Sequence, residues 1–583
     1  MGIPRFFYWL YKEHPYVITK IQERETLLKY KINIDTYALD LNAIVHPICQ
    51  QVFGYGQYKD CPTNGNIKRL MHPKKEVILY PSKRIECYNK ICEKIDELVN
   101  IVNPKSKLLL ALDGTAGMSK QYQQRQRRYR AILENPTNVD DVSLPKKEFD
   151  SNEITTGSVF MNELSQCISE YIEYKIKNEW KELDIYFSSE QVPGEGEHKI
   201  IHLLKQYSSF GSYCIHSPDA DLIMLSLASL CTHEFKKCYI IRDNIYKHVY
   251  CKYFIVDVNL FSDILINKFK NYSINGKKQN YISDFILYCF FFGNDFLPEN
   301  PLMITDKNGI DILFLLYTET LINYGNLTKI NNDKITLNLN ECIYYFEQLS
   351  KNEELLYNKK YSINNKDENS NNDFKSLENF KKKYYKDKLN FDIENQSIFT
   401  KQVNKICNEY LRGIQFVLSY YLYDIPDWYW FYPYHHAPFF SDICNYLKSI
   451  KLKRMLDNTD IKNNPNNILS FKFEKNEPLT PFEQLLAVLP PESSNILPEQ
   501  FGKLMTSKNS DIQIFYPNTD SIKIEIKSEY EKTILVPFIN VKLLRNTFNK
   551  TFNENKDILT DVDIKRNIFK TNKNYINSKK LNL

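Results

Sequence analysis

The chain has 583 residues, 43% of them hydrophobic and 25% charged, with a formal net charge of +5. That length is too great for one small core and suggests about three or four domain-sized units, in a composition ordinary for a soluble globular protein. Charge this near to balance excludes a bulk polycation, so a nucleic-acid partner would have to be met by local charge. The longest apolar stretch, Phe285–Phe292, is too short to cross a bilayer.

Thirteen cysteines are scattered without a Cys-x-x-Cys pair or Cys/His clustering. This argues against a zinc module and a disulfide framework and fits a reducing compartment. A cytoplasmic location is the expectation. The N-terminus has no signal-peptide pattern, and Phe6 is wrong for myristoylation at Gly2.

Residues 1 to about 325 alternate strand-like and helix-like segments, which predicts an α/β domain with a mainly parallel sheet. Asn33–Leu39 reads as a strand ending at Asp40, and Lys107–Leu112 as a buried strand ending at Asp113. A basic run, Lys120–Arg130, follows. At about 100° per residue, Lys120, Gln124, Arg127 and Arg128 share one stripe. Arginine's forked donors suit a phosphate. A solvated helix face is the plain alternative, and the stripe's position directly after Asp113 favours phosphate binding.

Strand-like Ile185–Phe187 precedes the octapeptide Gln191–His198, in which Glu195 and Glu197 lie two apart among a proline and two glycines. Glycine frees the backbone, so both acids can turn towards one point. Close carboxylates repel, and a hard cation such as Mg²⁺ removes the conflict by taking oxygen ligands. A solvated turn with Glu197 near a helix start is equally admissible on these eight residues alone. A helix over Lys199–Leu204 and a strand over Tyr213–His216 come next, then Asp219 and Asp221 before an apolar helix from Leu222. Tyr281–Phe292 reads as a buried helix stopped by Gly293, Asn294 and Asp295.

Acids therefore recur where strands and helices end, where open α/β sheets bind ligands. Each has a dull explanation: Asp113-Gly114 is a turn dipeptide, Asp219 and Asp221 are plausible helix caps, and Asp295 could cap a loop. Convergence of all seven acids on one rim is the sharper expectation.

Residues 351–390 are charged and poor in aliphatics, and Tyr361–Asn379 reads as a flexible linker or surface loop. Ordered chain is expected to resume near 400, with an aromatic run at Asp427–His436. An amphipathic helix follows at Pro481–Leu489, ended by Pro490 and Pro491, and beyond about 567 the tail reads as disordered.

In this order the motifs resemble the XRN family of 5′→3′ exoribonucleases. The first region is carried by MGIPRFF (1–7), LDLN (39–42) with His46, Asp113-Gly114, QQRQRR (123–128), SNEIT (151–155), VPGEGEHK (192–199), DADL (219–222) and GNDFLP (293–298). The second is carried by WFYPYHHAPF (430–439), PFEQ (481–484), AVLP (487–490), Leu497-Pro498 and FYP (515–517). The resemblance implies a PIN/flap-endonuclease-like nuclease core with a mainly parallel central sheet flanked by helices, supported by a second, mostly helical region. Domains are accordingly expected at 1–330 (nuclease region), 331–400 (connecting helical segment and charged linker), 401–567 (supporting region) and 568–583 (tail).

By the same resemblance, Asp40, Asp113, Glu195, Glu197, Asp219, Asp221 and Asp295 bind two Mg²⁺, with Mn²⁺ able to substitute. Lys120, Gln124, Arg127 and Arg128 hold the 5′-monophosphate, with Lys120 also neutralising the scissile phosphate, and His46 stacks near the first bases. Trp428 or Trp430 lines the RNA path. The implied activity is processive hydrolysis of 5′-monophosphorylated single-stranded RNA to nucleoside 5′-monophosphates by a monomer without a membrane partner. Two departures stand out: Thr156-Gly157 replaces the family's Pro-Gly, and the long C-terminal extension of the cytoplasmic members is missing. A structure-specific 5′ DNA nuclease and a non-catalytic RNA-binding scaffold are the alternatives. The aromatic block argues against the first, and the full set of acids against the second.

Overall fold

The computed structural model describes residues 6–59, 82–134, 149–207, 211–233, 236–244, 249–272, 276–303, 307–331, 333–362, 376–456, 467–518, 521–526 and 532–570. The chain divides into two compact units, each assembled from separate stretches. One comprises Thr19–Pro218, Phe235–Ile255 and Glu477–Leu583; the other comprises Met1–Ile18, Asp219–Glu234 and Val256–Asn476. Among the described residues no helix is long and apolar enough to cross a membrane.

The first unit is built on a seven-stranded sheet of β1 (Ile18–Ile21), β2 (Thr36–Asp40), β3 (Lys107–Ala111), β4 (Asp184–Ser188), β5 (Ser212–His216), β6 (Lys237–Asp243) and β7 (Tyr253–Asp257). Its order is β1-β7-β6-β5-β2-β3-β4, and the pairings of β6 with β5, β5 with β2, β2 with β3 and β3 with β4 are all parallel. Tyr37, Ala38 and Leu39 on β2, and Leu108, Leu109 and Leu110 on β3, are completely buried. Such unbroken apolar runs belong to parallel strands covered on both faces. The helices Lys83–Val102 and Val159–Asn178 contribute their apolar stripes to the same core. The expected mainly parallel α/β sheet is thus present. Strand β2 starts at Thr36 rather than Asn33, because Asp35 is engaged by its carboxylate, which accepts hydrogen bonds from the Ser212 N–H (2.8 Å) and hydroxyl (2.9 Å).

The returning stretch 477–570 corrects one expectation. Helix Pro481–Val488 is capped by a Thr480/Glu483 capping box and ends before Pro490, but every one of its residues is buried, so it is not amphipathic. Its side chains and carbonyls are covered on several sides at once: Phe482 packs on Phe501 (5.6 Å between centroids), and Ala487 O accepts from Arg125.

The other unit is mostly helical, with a three-stranded antiparallel sheet of Thr328–Asn331, Lys334–Asn338 and Ile468–Leu469. Asp284, fully buried on helix Lys278–Cys289, pins the first of these strands by accepting from Leu327 N (2.9 Å) and Thr328 N (2.8 Å). The expected helix over Tyr281–Phe292 is this helix plus one 3₁₀ turn, Phe290–Phe292.

The charged stretch at 351–390 is more ordered than its composition suggested. It forms helices Glu353–Ser362 and Leu377–Leu389, which correct both ends of the linker expected at Tyr361–Asn379; residues 363–375 lie outside those described. Phe380 and Tyr385 are buried, Tyr385 donates to Asp442 (2.7 Å), and Lys381 lies 3.3 Å from Asp442 and 3.7 Å from buried Glu353. Two well-spaced aromatics are enough to dock a helix whose remaining faces are solvated. The N-terminal motif residues 1–5 and the tail residues 571–583 also lie outside the described residues.

Candidate active site

Asp40 is the last residue of β2 and Asp113 lies two residues beyond β3, so the parallel pairing of these strands sets both acids at one carboxyl edge. Asn42 ties them together. Its N–H donates to Asp40 Oδ1 (3.2 Å), its Nδ2 donates to Asp113 Oδ2 (2.9 Å), and its Oδ1 accepts from Asp113 N (3.0 Å). The turn carrying Glu195 and Glu197 docks on the same edge. Gly114 N donates to Gly194 O, Gly194 N to Thr115 O, each at 2.8 Å, and Gly196 N to Asp113 Oδ1 at 2.7 Å. A Cβ on Gly114 would sit 1.8 Å from Val192 O, and one on Gly196 would sit 2.9 Å from Asp40 Oδ1. Glycine is required at both positions for close approach, and at the second it lets the backbone lie against the Asp40 and Asp113 carboxylates.

Glu195 is buried, and its Oε2 lies 2.5 Å from Lys120 Nζ. Glu197 occupies the first turn of helix Gly196–Tyr207. Burial raises the Asp113 carboxyl from its ordinary value, and the charge of Glu195 adds to this; the Gly196 N–H, Lys120 and Lys199 act against it. The repulsion expected from clustered acids is therefore present. Among the described residues, no group of three or more His, Cys, Asp or Glu side chains is arranged to hold a metal ion. The donors available, the carboxylate oxygens of Asp40 and Asp113 beside Gly196, are of the type a hard divalent cation takes.

Lys199, buried beneath the turn, was not singled out by sequence. Its Nζ donates to Ser189 O (2.8 Å) and Val192 O (3.0 Å), bracketing the turn from behind. Burial pulls its pKa down to about 7, opposed by Asp113, Glu190 and Asp40.

The basic run is helix Met118–Glu134. Its two long faces differ. Gln121, Arg125 and Tyr129 recur every four residues and are buried; Arg125 donates to Ala487 O (3.0 Å), to Phe515 O and to Tyr129 Oη (3.2 Å). The predicted stripe lies elsewhere on the helix. Lys120 meets Glu195, Arg127 is exposed, and Gln124 and Arg128 are half-buried. Gln124 Oε1 and Arg128 Nε are buried without a hydrogen-bond partner, while Arg128 Nη1 reaches Asn152 Oδ1 at 3.4 Å. Burial, reinforced by Arg127, pulls the Arg128 guanidinium down to about 10. Arg125 was the arginine that sequence reasoning missed. The apolar-type spacing of Gln121, Arg125 and Tyr129 was the available signal.

His46 is half-buried on helix Asn42–Phe53, which starts directly from the Asp40 edge.

The remaining predicted residues lie in the other unit. Asp221 is buried in the first turn of helix Asp221–Thr232, whose N-cap is Ala220, without a side-chain cap. Asp219 and Asp221 are thus not the N-cap. Asp295 sits in a turn closed by Asn294 Oδ1, which accepts from Phe296 N and Leu297 N, both at 2.8 Å. Gly293 (φ 83°) starts that turn, and Tyr410 Oη donates to Pro298 O (3.3 Å) at its end. Asp427 accepts from Tyr429 N (2.9 Å) and Trp430 N (3.1 Å), folding the aromatic run. Trp430 is buried against Phe416 (4.5 Å) and Phe473 (6.2 Å), filling space that Gly413 leaves open. A ring so enclosed offers no face to RNA, which is a correction for Trp430. Trp428 is half-buried and so keeps part of its ring accessible.

Carboxylates at the carboxyl edge of a parallel sheet, joined through Lys120 to a basic helix, define an α/β protein of the edge-binding class. A family model described as XRN 5′-3′ exonuclease N-terminus matches residues 1–244, and one described as Xrn1 helical domain matches residues 276–379 and 376–583. The chain belongs to the XRN family. It is 26% identical to human 5′-3′ exoribonuclease 1, over 93% of this chain and 34% of that protein. It is also 26% identical to the 5′-3′ exoribonuclease 2 homolog of Drosophila melanogaster, over 99% and 73% respectively. With 5′-3′ exoribonuclease 1 of Saccharomyces cerevisiae it shares 25% identity, over 93% and 43%. The chain therefore spans about a third of the human relative's length. A solved structure of the catalytic core of Rad2 with DNA substrate covers 66% of this chain at 14% identity and a TM-score of 0.29, too slight a likeness to bear on the fold.

Proposed function

We propose that the chain is a processive 5′→3′ exoribonuclease that hydrolyses 5′-monophosphorylated single-stranded RNA to nucleoside 5′-monophosphates. The observation that carries this reading is the Lys120–Glu195 contact at 2.5 Å, which joins the carboxylate edge to the phosphate-type helix within one unit. Membership of the XRN family and the names of the relatives support the polarity and the RNA substrate.

Asp40, Asp113, Glu195 and Glu197 would hold a divalent cation, Mg²⁺ by the chemistry of their oxygens; by their motif match, Asp219, Asp221 and Asp295 would also serve as metal ligands. Bound Mg²⁺ supplies an activated water and charge neutralisation at the leaving oxygen. The chain's own residues do the rest. Lys120 neutralises phosphate charge beside Glu195. Arg127, Arg128 and Gln124 hold the terminal 5′-phosphate, where forked donors give geometry as well as charge. His46 and Trp428 offer ring faces for stacking, which tolerates any base and contributes about 1–3 kcal/mol per base. Free thiols throughout the twelve described cysteines accord with a cytoplasmic site of action.

A time course on 3′-labelled RNA carrying a 5′-monophosphate or a 5′-triphosphate, beside a flap DNA, in Mg²⁺ or EDTA, tests the reading. The expected result is loss of the monophosphate RNA only, in Mg²⁺ only, without a ladder. Equal loss of both RNAs removes the 5′ pocket, preference for flap DNA makes the protein a DNA nuclease, and no loss at all makes it an RNA-binding scaffold.

A further inference from the structure

The turn that carries Glu195 and Glu197 is gripped from outside the sheet by a short segment near the other end of the chain. Helix Asp561–Arg566, closed at its start by a Thr560/Asp563 capping box, leads into residues 567–570. Gln191, which opens the acid turn, is held twice: its Nε2 donates to Lys565 O (2.6 Å), and its carbonyl accepts from Lys570 N (3.0 Å). Arg566 anchors the segment. Its guanidinium is buried over the Phe482 ring (4.8 Å to the centroid), and its Nη1 donates to Gly157 O (2.8 Å) and Ile496 O (3.1 Å). Gly157 has φ 89° and stands where a Cβ would meet Pro481 at 2.9 Å, so the anchor point is itself a close-packed turn. One residue earlier, the Thr156 hydroxyl donates to Asp113 O (2.9 Å).

We infer that Thr560–Lys570 is a positioning clasp: Arg566 fixes it to the Gly157 turn, and Gln191 transmits that fixed position to the carboxylates of Glu195 and Glu197. The kinetic consequence rests on the exoribonuclease reading; the mechanical one does not. None of these residues touches the reacting atoms. They set where two acids stand, and a misplacement on the order of 1 Å at such a site costs up to roughly a hundredfold in rate.

The test uses the full chain with Gln191→Ala, Arg566→Ala and Arg566→Lys. Amide hydrogen exchange reads the turn directly, without activity. In Gln191→Ala and Arg566→Ala, peptides covering residues 189–198 should exchange faster while those of β2 and β3 stay protected. Steady-state degradation of 5′-monophosphorylated RNA should show kcat down about ten- to a hundredfold, KM unchanged within about twofold, and a higher Mn²⁺ concentration for half-saturation by titration calorimetry. Arg566→Lys, which keeps the charge but not the fork, should recover only part of the protection. Faster exchange in the two alanine variants, when the wild-type protein itself degrades no RNA, upholds the clasp and defeats the exoribonuclease reading. An active protein whose turn exchange and kcat are untouched by Gln191→Ala overturns the clasp, as does exchange that rises uniformly over the whole unit.

Discussion

Replacing Arg128 by lysine keeps a positive charge and removes the planar fork. Arg128 is half-buried, its Nη1 is only 3.4 Å from Asn152 Oδ1, and its Nε is buried without a partner, so donors remain for an incoming oxygen. Burial next to Arg127 pulls the guanidinium down to about 10, still well above neutral pH, so it is charged throughout an ordinary assay. An anion arriving there offsets the desolvation that depresses it. A hydrogen bond to a charged group is worth about 1.5–3 kcal/mol, or roughly 10- to 150-fold in kcat/KM. Arg128→Lys should therefore lower kcat/KM by that factor on RNA with a 5′-monophosphate and leave a 5′-hydroxyl RNA nearly unchanged. Parallel time courses on the two 3′-labelled RNAs measure it. An equal loss on both would show that Arg128 supports the helix rather than the phosphate.

Asp113 is raised by burial and by Glu195, so it takes up a proton above the usual carboxylate range and surrenders a cation ligand there. The acid limb of the rate profile should lie above the ordinary carboxylate range and move to lower pH as Mg²⁺ is raised, since cation and proton compete; a limb indifferent to Mg²⁺ would count against Asp113 as a ligand. Glu195→Gln should lose nearly all Mg²⁺-dependent hydrolysis while still binding 5′-phosphorylated RNA in a filter assay. Trp430→Ala empties a core position and should cost about 3–5 kcal/mol of stability, seen as a lower thermal midpoint. Trp428→Ala should instead leave the midpoint alone and weaken RNA binding by about 1–3 kcal/mol. Arg125→Met strands two buried carbonyls, Ala487 O and Phe515 O, and should destabilise by roughly 2–6 kcal/mol.

The parallel sheet was legible because β2 and β3 are short apolar runs that end at acids, and that coincidence placed Asp40 and Asp113 at one edge before any coordinates. The acid turn was legible through its glycines, whose need is now visible as distances to Val192 O and Asp40 Oδ1. What stayed hidden were the residues that work by depth rather than type. Arg125 and Lys199 look like surface cations in one dimension and are buried donors to main-chain carbonyls in three. Trp428 and Trp430 were indistinguishable by spacing, and Gly413, seventeen residues upstream, decides which of them is enclosed. The first turn of helix Leu377–Leu389 fell inside the expected linker because charge outnumbers the helix's two docking aromatics.

The sheet-bearing unit is discontinuous along the chain, with its last stretch beginning at Glu477. On a ribosome, the acid turn emerges long before the segment that grips Gln191, since roughly 370 residues separate Glu197 from Lys570. At about 5–20 residues per second, a nascent chain spends on the order of 20–75 s with its carboxylates made but not yet held. Completion of this edge thus waits on a segment made long after the acids themselves, and a message cut short before the codon for Lys565 yields a product whose acid turn is never clamped.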